Sequence, residues 1–90
     1  GWEPVTYATA DPATVLVERF GPSDGQLFLT AHNPADQPAK VTFALDLGAL
    51  GIGQLTGVQR LPDDTQIPVH GTGFSDVLEP GVTCAYRLRY

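Results

Sequence analysis

The groups in this 90-residue chain that could do chemistry are ten Asp and Glu residues, two histidines and a single cysteine. Their spacing decides what is open to them. A helical zinc site wants two histidines at i and i+4, whereas His32 and His70 lie far apart in sequence. Cys84, as the only thiol, can form neither an intrachain disulfide nor a thiolate cluster. Asp63 and Asp64 are neighbours, and on an extended segment neighbours point apart, so they do not face each other across a scissile bond and suit a turn better. Asp24, Asp36 and Asp76 lack the Asp-x-Asp-x-Asp loop that gathers oxygen ligands around calcium. Gly71-Thr72-Gly73 is too short to cradle a phosphate, and no helix follows it. These patterns point to no catalytic centre, no metal site and no cofactor within the chain.

Aromatic side chains are the other resource, because a sugar ring stacks its apolar face on them while nearby polar groups take its hydroxyls. Trp2, Tyr7, Phe28, Tyr86 and Tyr90 are the candidates. Tyr86 falls in an apolar row and reads as core. Trp2 and Tyr7, close to the first residue, suit contact with a preceding domain at least as well as contact with sugar. Phe28 falls on the polar side of its strand, where an exposed ring marks an interface. Trp2, Tyr7 and Phe28 are therefore the expected interface or sugar contacts.

Ninety residues suffice for one domain with one core, but not for a barrel-type enzyme with its own deep cleft. A net charge of −5 has the wrong sign for binding through nucleic-acid phosphates or an anionic membrane surface. No apolar run is long enough to span a bilayer, and the start lacks a signal-peptide pattern. Cys84 sits in an apolar row and is expected to be a small buried hydrophobe. The chain has no methionine and opens on Gly1-Trp2-Glu3-Pro4, which reads as a piece of something larger.

The elements that must position these residues are strands. From Val82 to Tyr90, apolar Val82, Cys84, Tyr86, Leu88 and Tyr90 alternate with Thr83, Ala85, Arg87 and Arg89. That is a strand with one face on a core. Gln26 to His32 alternates Leu27, Leu29 and Ala31 against Gln26, Phe28, Thr30 and His32, and Lys40 to Asp46 does the same with Val41, Phe43 and Leu45. Val5 to Ala8, Thr14 to Phe20, Gly57 to Leu61, Ile67 to His70 and Phe74 to Leu78 supply further strands. Asp24-Gly25 offers the positive φ of a tight hairpin after the stiffening Pro22, and Asn33 to Pro38 forms the next turn. Pro68 implies an edge or a bulge. Leu47, Leu50 and Ile52, among three glycines, suit a short helical turn that plugs one end of the core. The fold class expected is all-β, a single antiparallel two-sheet sandwich of about seven to eight strands.

Gly25 to Pro38, followed by Lys40 to Asp46, resembles the strand, Asn-Pro turn and strand of C-terminal β-sandwich domains in glycoside hydrolases of the amylase C-terminal type. Leu78-Glu79-Pro80-Gly81-Val82-Thr83-Cys84-Ala85-Tyr86-Arg87-Leu88 is similar to their closing strand. The resemblance covers roughly residues 15–90 and is one of sandwich patterning, with no catalytic motif in it. It implies a non-catalytic domain that packs on a preceding catalytic (β/α) barrel of the same parent chain and stabilises it. The alternatives are a carbohydrate-binding module that engages polysaccharide through exposed aromatics and an immunoglobulin-like spacer.

Overall fold

The computed structural model describes residues 6–90. The chain runs β1 (Ala8–Asp11), β2 (Leu16–Ser23), β3 (Gln26–His32), β4 (Ala39–Leu45), α1 (Leu47–Leu50), β5 (Gly57–Leu61), β6 (Thr65–Ile67), β7 (Val69–His70), β8 (Gly73–Leu78) and β9 (Thr83–Arg89). Two antiparallel sheets pack face to face, with strand orders β1-β4-β8-β7 and β2-β3-β9-β5-β6. Among the described residues this is an all-β sandwich of nine strands, where seven or eight were expected. The extra strand arises at Pro68, whose missing N–H ends one ladder, so that β6 and β7 are edges of different sheets.

Period-two alternation builds the core. Leu27, Leu29 and Ala31 of β3 face inward, as do Val41, Phe43 and Leu45 of β4 and Tyr86 and Leu88 of β9, all fully or almost fully buried. Three rings form its centre. Phe43 and Phe74 are cross-strand partners stacked at 4.7 Å between centroids, and Tyr86 from the opposite sheet tilts against them at 5.6 and 5.0 Å. Such pairs add about 0.5–1.5 kcal/mol each beyond the area they bury.

The row in β9 frays at both ends, since Val82 and Tyr90 are exposed and Cys84 is only half-buried against the core. Burial still pushes the Cys84 thiol above its ordinary pKa, which keeps it a thiol rather than a thiolate.

The turns follow their residue types. Asp24 and Gly25 take φ values of +53° and +74° between Ser23 and Gln26, the two positive values of a type I′ hairpin. β2 runs further than expected, through Gly21 and Pro22, at the cost of a bulge between Phe20 and Ser23. The first strand begins later than expected, at Ala8. Tyr7 stands at φ +52° just before it, a left-handed conformation outside the extended region of a regular strand. Val5 lies outside the described residues. Helix α1 is one turn, capped by the Asp46 carboxylate accepting from Ala49 N–H at 3.1 Å and by Gly51 at φ +71°. Ile52 behind it is buried, with Leu47 and Leu50 packed partly against the core, so the expected plug is in place.

Gly73 allows the two middle strands of the smaller sheet to meet. A Cβ built on it would lie 1.8 Å from the carbonyl oxygen of Phe43, a backbone atom that cannot swing aside. Gly73→Ala should therefore lower stability by about 3 kcal/mol or more. Urea unfolding checks this, the expected result being a lower midpoint with an unchanged slope.

Candidate functional site

The cluster most like a catalytic centre is Asp76, Arg60 and Tyr86. Asp76 shares the inward phase of β8 with Phe74 and Leu78, so the pleat aims a carboxylate into the sandwich. Arg60 and Tyr86 are direct cross-strand partners in the facing sheet. The Arg60 Nη1 atom donates to both Asp76 oxygens, at 2.9 and 3.0 Å, and the Tyr86 hydroxyl donates to Oδ2 at 2.8 Å. Oδ1 also accepts the N–H of Val77 at 2.9 Å. With the Asp76 side chain only 10 % exposed, both oxygens are spent on fixed donors. A general acid or nucleophile needs a lone pair or proton free for substrate, and this carboxylate has neither to spare. The cluster is a clasp between sheets. Burial, then the bond to Asp76, pushes the Tyr86 phenol far above its ordinary range, and the Arg60 guanidinium is raised by its own hydrogen bonds to the same carboxylate.

Two other polar groups are buried by the same logic. Asn33, at 1 % exposure, donates from Nδ2 to the carbonyls of Gln37 and Leu78 at 2.9 and 3.1 Å and accepts from Ala35 N–H at 3.0 Å. It ties the β3–β4 turn to the end of β8, and all three of its side-chain bonds go to backbone. Arg19, in the inward phase of β2 beside Val17, donates from Nε to Thr6 O at 2.6 Å and from Nη1 to the carbonyl of Gly21. Its guanidinium also lies 5.5 Å from the centroid of the Tyr7 ring.

That contact defines one candidate surface. Tyr7 is the carbonyl acceptor for Asp46 N–H at 2.8 Å, and Arg19 holds both the Thr6 carbonyl and the Tyr7 ring. A non-glycine residue held in the left-handed region costs about 1–3 kcal/mol, and these contacts hold it there. Tyr7 nonetheless stays 43 % exposed beside a cleft of about 400 Å³, lined by Tyr7, Ala8, Thr9, Ala44, Leu45 and Asp46.

The second candidate surface is the outer face of the five-stranded sheet. Phe28 lies there as expected, half-buried, directly opposite Phe20 of β2 on one side and Arg87 of β9 on the other. Gln59 follows Arg87 across the sheet, and Gln66 follows Gln59. Arg89 shares this face and donates from Nε to Gln59 Oε1 at 3.0 Å. The outer face of the smaller sheet is different in kind, presenting Thr9, Lys40, Thr42, Ala44, Ser75 and Val77, with Thr9 and Ala44 leading into the Tyr7 cleft at one end.

Of the expected contacts, Tyr7 and Phe28 thus belong to different faces and do not form one site, and Trp2 lies outside the described residues. His32 bonds Thr83 Oγ1 at 2.8 Å on the outer face of the larger sheet, while His70 is on the edge strand of the smaller one. Asp63 accepts from the Thr65 hydroxyl at 2.7 Å, which holds its carboxyl below the ordinary range, and Asp64 takes φ +57° beside it, so both serve the β5–β6 turn. Asp24 is in the β2–β3 turn, Asp36 in the β3–β4 connection and Asp76 in the clasp, so the three do not converge. Asp76, Arg60 and Arg19 carried one sequence signal, a charge in phase with an apolar neighbour two residues away, whereas Tyr86 carried only its place in an apolar row.

No family model, curated protein or solved structure matches this chain.

The clasp has a spectroscopic consequence. With its pKa in the folded state raised, Tyr86 lends stability that is complete below the ordinary phenol value of about 10 and is lost progressively as pH climbs from there through the raised one. Absorbance titration at alkaline pH should show the Tyr86 phenolate only when the fold opens, with Tyr86→Phe tracing the wild-type curve until unfolding. A Tyr86 phenolate forming in the folded protein within the ordinary range would contradict the clasp.

Proposed function

We propose that this is a non-catalytic accessory domain of a larger, carbohydrate-active enzyme, which packs on a catalytic domain preceding it in the same chain. The observation that carries the reading is Tyr7, held in a costly backbone conformation by Asp46 and Arg19 while it stays open to solvent beside a mostly apolar cleft. Strain retained at a surface position marks a place where something is engaged. A domain joined ahead of this one would arrive beside that cleft, since the chain enters β1 there. The Asp-centred cluster supports the same reading from the other side, because its donors and acceptors are consumed within the fold. The assignment to a carbohydrate-active enzyme rests on the resemblance of the Asn33-Pro34 turn and closing strand to glycoside hydrolase C-terminal sandwiches.

Hydroxyl-radical footprinting of Tyr7 tests the docking, in the 90-residue domain and in the longer chain with its catalytic domain. The expected outcome is strong protection of Tyr7 in the longer chain alone. Tyr7→Ala should leave the isolated domain within about 1 kcal/mol of wild type, as an exposed ring does, while lowering the unfolding temperature of the neighbouring catalytic domain. Equal labelling of Tyr7 in both contexts would overturn the reading.

A further inference from the structure

On the outer face of the larger sheet, near the β2–β3 turn, two shallow hollows lie side by side. One, of about 300 Å³, is lined by Asp24, Gly25, Gln26, Arg87, Leu88 and Arg89. The other, of about 200 Å³, is lined by Phe20, Gly21, Ser23, Asp24, Gln26 and Phe28. They share Asp24 and Gln26, so a guanidinium-lined floor continues into a phenyl-lined one. Phe28 and Arg87 are direct cross-strand neighbours on this face, which places their Cβ atoms about 4.5–5.5 Å apart. That spacing is close to the width of a single sugar ring.

We infer that this double hollow is a binding site for an acidic sugar residue, a pyranose carrying a carboxylate, with the ring on Phe28 and the carboxylate on Arg87 and Arg89. Two guanidiniums, Arg87 and Arg89, against the single Asp24 carboxylate that lines the hollows favour an anion. Arg19 and Arg60 are committed inside the fold and Lys40 faces out from the other sheet, whereas Arg87 and Arg89 stand two residues apart on this face. Arg87 meets Asp64 only at 3.7 Å, between side chains 37 % and 52 % exposed, a pair that a ligand carboxylate in direct contact can displace. The overall charge of −5 opposes a polyanion at long range, so binding rests on direct contact with the two guanidiniums, charges beyond about 8 Å being largely screened at physiological ionic strength. A peptide adding as a strand is disfavoured, since β3 and β9 are interior strands whose backbone groups are already paired on both sides. The Gln26 amide and the Asp24 carboxylate line the hollows and remain to take hydroxyls, while Gln59 Oε1 already accepts from Arg89 Nε and steadies that guanidinium. The choice of a sugar rests on the carbohydrate-active reading above. The requirement for an anion does not.

Polygalacturonate in affinity electrophoresis, and its oligomers in calorimetry, provide the probe, with neutral xylan and poly-glutamate as controls. Saturable binding to polygalacturonate is expected, weakened about tenfold or more by Arg87→Ala and by Phe28→Ala with the unfolding temperature little changed. Asp64→Asn, which removes the competing carboxylate and keeps a residue tolerant of positive φ, should tighten binding about two- to fivefold. That gain is one a purely structural role would not produce. No binding to polygalacturonate, binding indifferent to Phe28→Ala, or equal binding to poly-glutamate or to xylan would each overturn the assignment. None of these results bears on the Tyr7 cleft, so this inference can fail while the docking reading stands.

Discussion

The Asp76 carboxylate is the constraint around which the two sheets are arranged. It belongs to the smaller sheet, yet its principal donors, Arg60 and Tyr86, come from the larger one, so it binds the layers together with direction as well as attraction. Hydrophobic burial alone would let the layers slide, because it is proportional to area and indifferent to register. A buried charge with fixed donors is not indifferent. Removing a hydrogen-bonded partner of such a largely buried charge costs about 1–3 kcal/mol, a sizeable share of the roughly 5–15 kcal/mol by which a domain is stable. Tyr86 joins the two kinds of force, its ring lying against Phe43 and Phe74 while its hydroxyl completes the carboxylate.

The corners and edges repeat the device on a smaller scale. Asn33 fixes the β3–β4 turn to the end of β8, and Arg19 fixes the residues ahead of β1 to the bulged end of β2. Pro68 lets the chain leave one sheet and join the other, so the edge there is divided into strands of three and two residues. Short edges offer little ladder for a second copy to pair with. Among the described residues no buried side-chain polar atom is left without a partner, and the surfaces carry the groups open to solvent. Those surfaces differ: a fixed tyrosine beside a cleft at the entry of the chain, a mixed aromatic and guanidinium face on the larger sheet, and a small-residue face on the other.

Much of this was legible in residue order, and the exceptions have physical causes. Strands β3 and β5 begin and end where their alternation or turn residues place them, and Asp24-Gly25 closes the hairpin expected of it. The first strand was displaced because Tyr7 adopts a positive φ that nothing in its own chemistry favours and that tertiary contacts impose. The division at Pro68 was legible as an edge but not as a change of sheet, since strand order depends on contacts distant in sequence. Phe28 was legible as an outward ring. Its neighbours Phe20 and Arg87 were not, because register between strands is not written in either strand alone. The clasp was hidden for the same reason, with Asp76, Arg60 and Tyr86 drawn from three separate strands.

The account stands or falls on whether Asp76 and Tyr86 act as one unit across the sheets. A double-mutant cycle of Asp76→Ala and Tyr86→Phe, followed by urea unfolding, measures that directly. The clasp predicts a coupling of about 1–3 kcal/mol, with the second substitution costing far less once the first is made. Additive losses, with coupling near zero, would mean that the sheets are held by apolar packing alone and that the carboxylate does not organise the fold.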